Sequence, residues 1–359
     1  MKKIFLTAAL SIVLLYSPKT AAAACSTFGG RAAVVQANAR GIGSVVLSDT
    51  GNLDSTGGVK TASLLGASVD GLVAVNVMNA TAIAEKDYSQ AEASVGNLNL
   101  TVAGNIIGAD FLVPRANAYC GRGGVEVSGS SEIDGLVVNG QSIPVTGSPN
   151  QIVFLPGGVM MILNEQTSSV QDQDGSITVN ALHVTAPGGI DAVIGSSFAA
   201  VSDGPLPRRR PLAVIGGGGS GGGSCDFVTG GGWIKNTPSG GKGTFGAGGG
   251  RRQGELWGHL EYQDHGTGMN VHGTGVTAYT VGSNASTSRH IEGTAEINHQ
   301  SGFTYTVDVV DNGEPGRNDT FDIQLSNGYM AHGFVSGGNI QLHTNPSSLS
   351  DCPSLSSLK

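Results

Sequence analysis

Apolar and polar residues alternate in short runs along the first half of the chain, between residues 25 and 202. The runs are rich in Val, Ile and Thr, and a period of two places apolar side chains on one face of an extended strand. Asn-Gly, Asp-Gly and Pro-Gly-Gly sequences, which are typical of tight turns, separate the runs. The pattern predicts a β-sandwich. A β-solenoid is the alternative, and the lack of a fixed repeat length disfavours it.

The alternation is clearer between residues 225 and 345. One face of the run "GELWGHLEYQ" carries Leu256, Leu260 and Tyr262, and the other carries Trp257, His259 and Glu261. About seven such runs, joined by Gly-rich turns, predict a second antiparallel sandwich or a small closed sheet. Only 13 % of the residues are charged and 58 are Gly, a composition that suits many tight turns. No stretch shows a sustained, capped helical pattern, so the predicted class is all-β.

The composition changes between residues 203 and 224, in the sequence "DGPLPRRRPLAVIGGGGSGGGS". Prolines and three consecutive arginines lead into a Gly/Ser run that is typical of a flexible coil. The chain is therefore predicted to hold two β-sandwich-like antiparallel domains, residues 25–202 and 225–345, joined by a Gly/Ser linker. Residues 346–359 are predicted to be a tail.

The first residues carry the pattern of an export signal. "MKK" is positively charged, "IFLTAALSIVLLY" is apolar, and "SPKTAAAAC" ends in small residues. The apolar run is too short for a stable spanning helix, so residues 1–24 are predicted to be a signal peptide. The mature chain is expected to be secreted or exposed at the cell surface, with no spanning segment. Removing residues 1–24 takes away three lysines and moves the formal charge from −8 to −11, which disfavours binding to nucleic acid or anionic lipid.

The four cysteines are Cys25, Cys120, Cys225 and Cys352. Four cysteines allow three pairings, which the sequence alone does not distinguish. Two fall in each predicted domain, which favours Cys25–Cys120 and Cys225–Cys352 in an oxidising compartment. Cys25 also follows a run of small residues, so a lipid tether on its sulfur is the alternative. The absence of a CxxC pair disfavours thiol redox catalysis and a structural zinc knuckle.

The stretch "VVDNGEPGRNDTFDI", residues 309–323, joins two predicted strands and holds three carboxylates, Asp311, Glu314 and Asp319. Pro315 and Gly316 fit the centre of a type II turn, because Pro fixes φ and Gly supplies a positive φ. A structural loop is the favoured interpretation. The alternative is a calcium site built from the three carboxylates, although their spacing does not follow the EF-hand pattern.

A second acidic turn, "QDQDGS" at residues 171–176, is a common hairpin sequence, and calcium binding is the weaker interpretation there. Asp264, His265 and His272 lie close together in "YQDHGTGMNVHG". Pairing of the flanking strands would bring these three together as a zinc or copper site. Their spacing matches no recognised ligand pattern, so histidines on exposed strand faces are the favoured interpretation.

Five segments of the second half resemble a domain of secreted bacterial proteins: "CDFVTGGGWI", "GTFGAGGG", "LEYQDHGTGMNVHG", "DNGEPGRNDTFDIQL" and "GGNIQLH". That domain typically follows one called choice-of-anchor P. The first half, with "GLVVNGQSI" and "ITVNALHVT", is similar to the choice-of-anchor P family itself. The resemblance implies a surface or extracellular protein with no assigned activity, so it transfers no catalytic residue. The end "NPSSLSDCPSLSSLK" departs from the anchored pattern, because it has no apolar helix and no sorting signal.

These features together predict a non-enzymatic, secreted or cell-surface protein of structural or adhesion type, with no cofactor. The alternative is an extracellular carbohydrate- or calcium-binding module. A metal-dependent hydrolase is the least favoured function, since no HExxH motif and no Ser-His-Asp arrangement is recognisable. The expected class of partner is a surface polymer or glycan.

Overall fold

The computed structural model describes residues 24–203 and 226–344, except residues 40, 42, 70, 122, 253 and 315. The predicted signal peptide up to residue 23, the predicted linker from residue 204, Cys225 and the predicted tail lie outside the described residues. Antiparallel strands joined by turns make up most of the described part. Its only helical segments are two 3₁₀ turns, η1 (Pro156–Gly158) and η2 (Gly316–Asn318). The all-β prediction is therefore confirmed.

The first half forms two antiparallel sheets. Their strands are β1 (Thr27–Ala39), β2 (Gly43–Asp49), β3 (Gly58–Val69), β4 (Val73–Glu85), β5 (Tyr88–Val102), β6 (Asn105–Gly121), β7 (Gly124–Asp134), β8 (Val137–Val138), β9 (Gln141–Ser142), β10 (Gln151–Leu155), β11 (Val159–Gln171), β12 (Asp174–Ala186) and β13 (Ile190–Ser202). The outer sheet has the order β10-β11-β12-β13-β1-β2. The central sheet has the order β3-β4-β5-β6-β8-β9, and β7 also pairs with β6.

The outer sheet packs on one face of the central sheet, and an apolar core lies between them. Val35, Leu182 and Ile194 of the outer sheet and Met78 and Leu112 of the central sheet are completely buried in this core. Full burial of such a side chain stabilises the fold by about 1.5–3 kcal/mol. The period-two alternation of the first half therefore produces the sandwich that it predicts.

A disulfide between Cys25 and Cys120 joins the start of β1 to the end of β6, with a Cα–Cα distance of 5.5 Å. The first of the two predicted pairings is thus confirmed. The same sulfur atom would carry a lipid thioether, so the bridge and a lipid tether at Cys25 are mutually exclusive. The bridge favours the disulfide over the tether, and lipidation of Cys25 stays untested. Cys225 and Cys352 lie outside the described residues, and their pairing stays a prediction.

The second half forms one antiparallel sheet, the C-terminal sheet. Its strands are β14 (Asp226–Ile234), β15 (Gly243–Arg252), β16 (Glu255–Asp264), β17 (Met269–Val281), β18 (Ser288–Ile297), β19 (Gln300–Val310), β20 (Thr320–Leu325), β21 (Met330–Phe334) and β22 (Gly337–Thr344). The order is β21-β20-β19-β18-β17-β16-β15-β14-β22. Only Val335 and Ser336 separate β21 from β22 along the chain. The sheet therefore curls until its two ends meet, around a core in which the rings of Phe245 and Phe321 stack 3.8 Å apart.

The C-terminal sheet packs on the free face of the central sheet, which is consequently covered on both sides. Glycines on the C-terminal sheet permit this close approach. A Cβ at Gly246 would lie 1.4 Å from Asn79 Nδ2, and one at Gly231 would lie 2.7 Å from Cζ of Phe111. Glycine inside a strand often marks such a close contact. Most of the predicted linker lies outside the described residues, and the division into two independently folding domains stays a prediction.

Candidate functional site

The loop between β19 and β20 lies along the outer edge of β22. Asp311 Oδ2 accepts a hydrogen bond from the backbone amide of Leu342 at 2.8 Å, and Asp319 Oδ2 accepts one from Ile340 at 2.9 Å. β14 pairs with the other edge of β22. The two aspartates therefore take the place of a neighbouring strand by accepting alternate amides of β22. This contact joins the two ends of the curled C-terminal sheet.

Other groups of the loop strengthen the same contact. Glu314 Oε1 accepts a hydrogen bond from Asn339 Nδ2 at 2.6 Å. Gly316 begins the 3₁₀ turn η2, so the predicted type II turn is wrong at this residue, while Pro315 lies outside the described residues. A Cβ at Gly316 would lie 2.2 Å from Asn339 Oδ1 and 2.8 Å from the carbonyl oxygen of Gly338. Close packing against β22 accounts for the need for glycine at this position.

Asp319 is completely buried, and its second oxygen, Oδ1, accepts the amide of Asn312 at 2.8 Å. Burial raises the pKa of Asp319 to about 6, against the two backbone hydrogen bonds that favour the charged form. Within the described residues, no three His, Cys, Asp or Glu side chains come together where they could hold a metal ion. The calcium site at Asp311, Glu314 and Asp319 stays an untested prediction.

Asp264, His265 and His272 bond to different neighbours. Asp264 is buried and accepts hydrogen bonds from Ser239 Oγ at 2.5 Å and from Tyr329 OH at 2.9 Å. His265 Nε2 lies 2.9 Å from Thr244 Oγ1 and 3.1 Å from Asn97 Nδ2 of the central sheet. His272 Nδ1 lies 2.6 Å from Oε1 of buried Glu261. The structure therefore gives each predicted metal ligand a separate structural partner.

A buried ionic cluster, which the sequence patterns do not reveal, lies between the central and C-terminal sheets. Arg115 Nε donates to Glu92 Oε2 at 2.8 Å, and Glu132 Oε2 lies 4.0 Å from Arg115 Nη1. Burial raises the pKa of Glu132 to about 7, although the Arg115 charge opposes the shift. Thr229 Oγ1 bridges this cluster to the C-terminal sheet, because it lies 3.3 Å from Glu92 Oε2 and 2.9 Å from His343 Nε2. Burial lowers the pKa of His343 to about 3, which keeps its ring uncharged beside Arg115.

These buried groups are unsuited to acting on a solute. The cavity lined by Arg115, Glu92 and His343 has a volume of about 10 Å³, enough for about one water molecule. The groups hold sheets together, so external contacts must use the surface.

An apolar surface lies on the solvent-facing side of the outer sheet, beside its edge strand β10. Phe154 is 78 % exposed and Ile152 is 53 % exposed. Strand register places Met160 opposite Phe154 and Ile162 opposite Ile152. The run "QIVFL" does not alternate apolar with polar residues, so its pattern does not predict this exposure. We call Ile152, Phe154, Met160 and Ile162 the outer patch.

A groove of about 310 Å³ lies at the other end of the same face, where β11, β12, β13 and β1 run side by side. Gln171, Asp174 and Ser176 of the second acidic turn contribute to its lining. Composition identified that turn, but only strand register shows that it borders a groove. The outer patch and this groove are two surface features that suit an external partner.

No protein-family model and no curated protein matches the chain. One solved structure, a Nitrosomonas europaea protein provisionally named AttH, aligns over 88 % of this chain and 92 % of its own, with 7 % identity and a TM-score of 0.19. Similarity at this level supports no inference about fold or function. Among the described residues, no helix has the length and apolar character needed to cross a membrane.

Proposed function

We propose that the protein is an exported, non-enzymatic β protein of structural or adhesion type that binds a polymer of the cell surface or extracellular matrix. The export-type N-terminus and the resemblance to choice-of-anchor P proteins support an extracellular location. The Cys25–Cys120 disulfide supports it as well, since disulfides are typical of compartments outside the reducing cytosol.

The outer patch is the observation that carries the proposed binding role. Large exposed apolar side chains grouped on one face mark interaction surfaces more often than scattered ones do. Phe154 and Ile152 are neighbours on one face of β10, because side chains at i and i+2 point the same way in a strand. Their cross-strand neighbours Met160 and Ile162 widen the surface. Phe154 is the most exposed of the large apolar side chains in the described residues, which singles out this surface.

The polymer-binding role is tested by co-sedimentation. Purified, disulfide-bonded protein is mixed with cell envelopes from the producing cells, and the bound fraction is measured over a range of protein concentrations. We expect saturable binding that survives moderate salt, since an apolar contact is screened little by ions. Protein that stays in the supernatant at every concentration would contradict the proposal. A heat-unfolded sample controls for non-specific adsorption.

Carbohydrate binding is the second candidate function, and the groove beside "QDQDGS" favours it. Its largely uncharged lining includes Gln171, Asp174 and Ser176, whose side chains can bond the hydroxyl groups of a ligand. Polymer binding by the outer patch and carbohydrate binding by the groove use different parts of one face of the outer sheet. Substitutions in one part therefore test one function without changing the other.

A further inference from the structure

The groove on the outer sheet is built by the order of side-chain sizes across four paired strands. One row across the sheet consists of short side chains: Gly29, Ala200, Ser176 and Ser169. The next row is polar and has longer side chains at Asp174 and Gln171: Thr27, Ser202, Asp174 and Gln171. On the other side of the short row stand larger residues: Arg31, Phe198, Thr178 and Thr167. The short row and the polar row line the groove, and the short row is its floor.

Packing around the floor depends on its small residues. A Cβ at Gly29 would lie 3.3 Å from the Phe198 ring and 3.3 Å from the Ala200 Cβ. Larger side chains in this row would fill the groove. Its volume of about 310 Å³ reaches the roughly 300 Å³ at which small-molecule sites begin.

The polar groups of the groove are available to a ligand. Among the described residues, the side chains of Gln171, Asp174 and Ser176 have no hydrogen-bond partner in the protein. On the same face, by contrast, Asn180 Nδ2 donates to Glu165 at 2.7 Å and His183 Nδ1 lies 2.9 Å from the same carboxylate. The groove therefore offers hydrogen-bonding groups that the protein itself does not use.

The charge of the lining selects the ligand class. Asp174 is the one ionisable residue among those that line the groove, and no Lys or Arg is present there. An anionic ligand would find no countercharge, and one carboxylate is too few for a calcium ion, which takes six to eight oxygen ligands. Hydroxyls, one amide and one carboxylate complement the paired hydroxyls of a sugar.

We infer that this groove binds an uncharged saccharide, with Asp174 and Gln171 bonding its hydroxyls and the Gly29–Ser169 row receiving its ring. The groove is open along its length, so it can hold a short segment of a longer chain. The inference rests on the extracellular role proposed above and names a ligand class for the second candidate function.

The test uses the full mature protein, labelled with ¹⁵N, and three uncharged probes: maltohexaose, cellohexaose and chitohexaose. We expect at least one probe to shift the backbone amide signals of residues 169–176 and 200–202 in a saturable manner. Asp174→Asn should weaken that binding about tenfold or more, because hydrogen bonds to a charged acceptor are stronger than neutral ones. Ser176→Tyr should abolish binding by filling the floor.

Asp172→Asn is the matched control, since Asp172 lies in the same turn but does not line the groove. It should bind as the wild type does. Failure of all three probes to shift the groove signals at 10 mM would overturn the inference, as would binding that Asp174→Asn leaves unchanged. Either of these results would remove the saccharide groove. If Asp174→Asn and Ser176→Tyr still bind envelopes, the proposed polymer-binding function would nevertheless stand.

Discussion

Asp319 accepts a hydrogen bond from the backbone amide of Ile340 and so connects the β19–β20 loop to β22. The loop that looks like a metal site in the sequence therefore has a clear structural purpose. A strand edge has unpaired amides that must find acceptors. At the outer edge of β22, where no further strand is paired, carboxylate oxygens act as these acceptors.

Removal of the Asp319 carboxylate should destabilise the protein. Asp319→Ala leaves the amides of Ile340 and Asn312 without acceptors, and each unsatisfied buried donor costs about 1–3 kcal/mol. Asp319→Asn retains one acceptor oxygen and should cost less. Urea unfolding measures both variants, with exposed Asp322→Ala on β20 as the control. Equal stability of Asp319→Ala and the wild type would contradict the structural interpretation. Calcium-dependent stabilisation that Asp319→Asn abolishes would favour the calcium site instead.

Contact between the central and C-terminal sheets should depend on Gly246. Gly246→Ala places a methyl group against Asn79, and overpacking of this kind costs about 1–3 kcal/mol. Asn79→Ala should rescue Gly246→Ala, because it removes the side chain that obstructs the methyl group. Thermal unfolding of the two single variants and the double variant gives the stabilities needed for a double-mutant cycle. Gly123→Ala is the control, since a Cβ at Gly123 meets open space. Additive effects of the two substitutions would contradict the predicted contact.

Glu132 should make stability depend on pH. Folded protein keeps the proton on Glu132 up to about pH 7, whereas the unfolded chain releases it near the ordinary value of 4.5. This contribution to stability is fully present below pH 4.5 and is lost as pH rises to about 7. Glu132→Gln cannot ionise, so its stability relative to wild type should rise by about 1–3 kcal/mol between pH 4.5 and pH 8.

Urea unfolding at several pH values measures this difference for Glu132→Gln. Glu126→Gln is the control, because Glu126 lies exposed on the same strand, β7. The control should show no trend relative to wild type. A Glu132→Gln difference that is constant with pH, or that falls as pH rises, would contradict the burial of this carboxylate.

Both cysteine pairs should be found in exported protein. Non-reducing peptide mapping should detect Cys25–Cys120 and Cys225–Cys352, with no lipid on Cys25. Asp226, the residue that follows Cys225, pairs with Thr344, which precedes Cys352 in the sequence. This pairing is consistent with a bridge between the two cysteines. Loss of the Cys25–Cys120 bridge, which spans 95 residues, should cost about 4–5 kcal/mol in the chain-entropy model. Detection of a diacylglyceryl group on Cys25 would contradict the assignment.

Strand positions could be predicted from the sequence because alternation is a local property. In the run 303–310, Tyr305, Val307 and Val309 are buried and Thr304 and Asp308 are exposed, as their alternation predicts. The same rule fails in part on β16, where both faces are buried: Leu260 and Tyr262 on one, His259 and Glu261 on the other. The central sheet covers the face of β16 that carries His259 and Glu261. Periodicity along one strand cannot show that another sheet packs on its second face.

Surface sites were harder to predict for the same reason. Alternation does not show which side of a sheet is left uncovered. The exposure of Phe154 on β10 therefore depends on how the sheets pack in the tertiary structure. Glycines offered a missed clue. The runs "TGGGW" and "GAGGG" lie inside β14 and β15, and glycine inside a strand is a signal of close approach by another element.

The most direct test of the proposed function compares envelope binding by two serine variants. Phe154→Ser removes the most exposed side chain of the outer patch, and Val170→Ser removes an exposed apolar side chain from β11 outside the patch. Both positions are exposed, so both variants should keep the wild-type unfolding free energy within about 0.5 kcal/mol. Binding constants are measured by envelope co-sedimentation. We predict that Phe154→Ser weakens binding about tenfold while Val170→Ser leaves it unchanged; equal affinity of Phe154→Ser and the wild type would contradict a binding role for the outer patch.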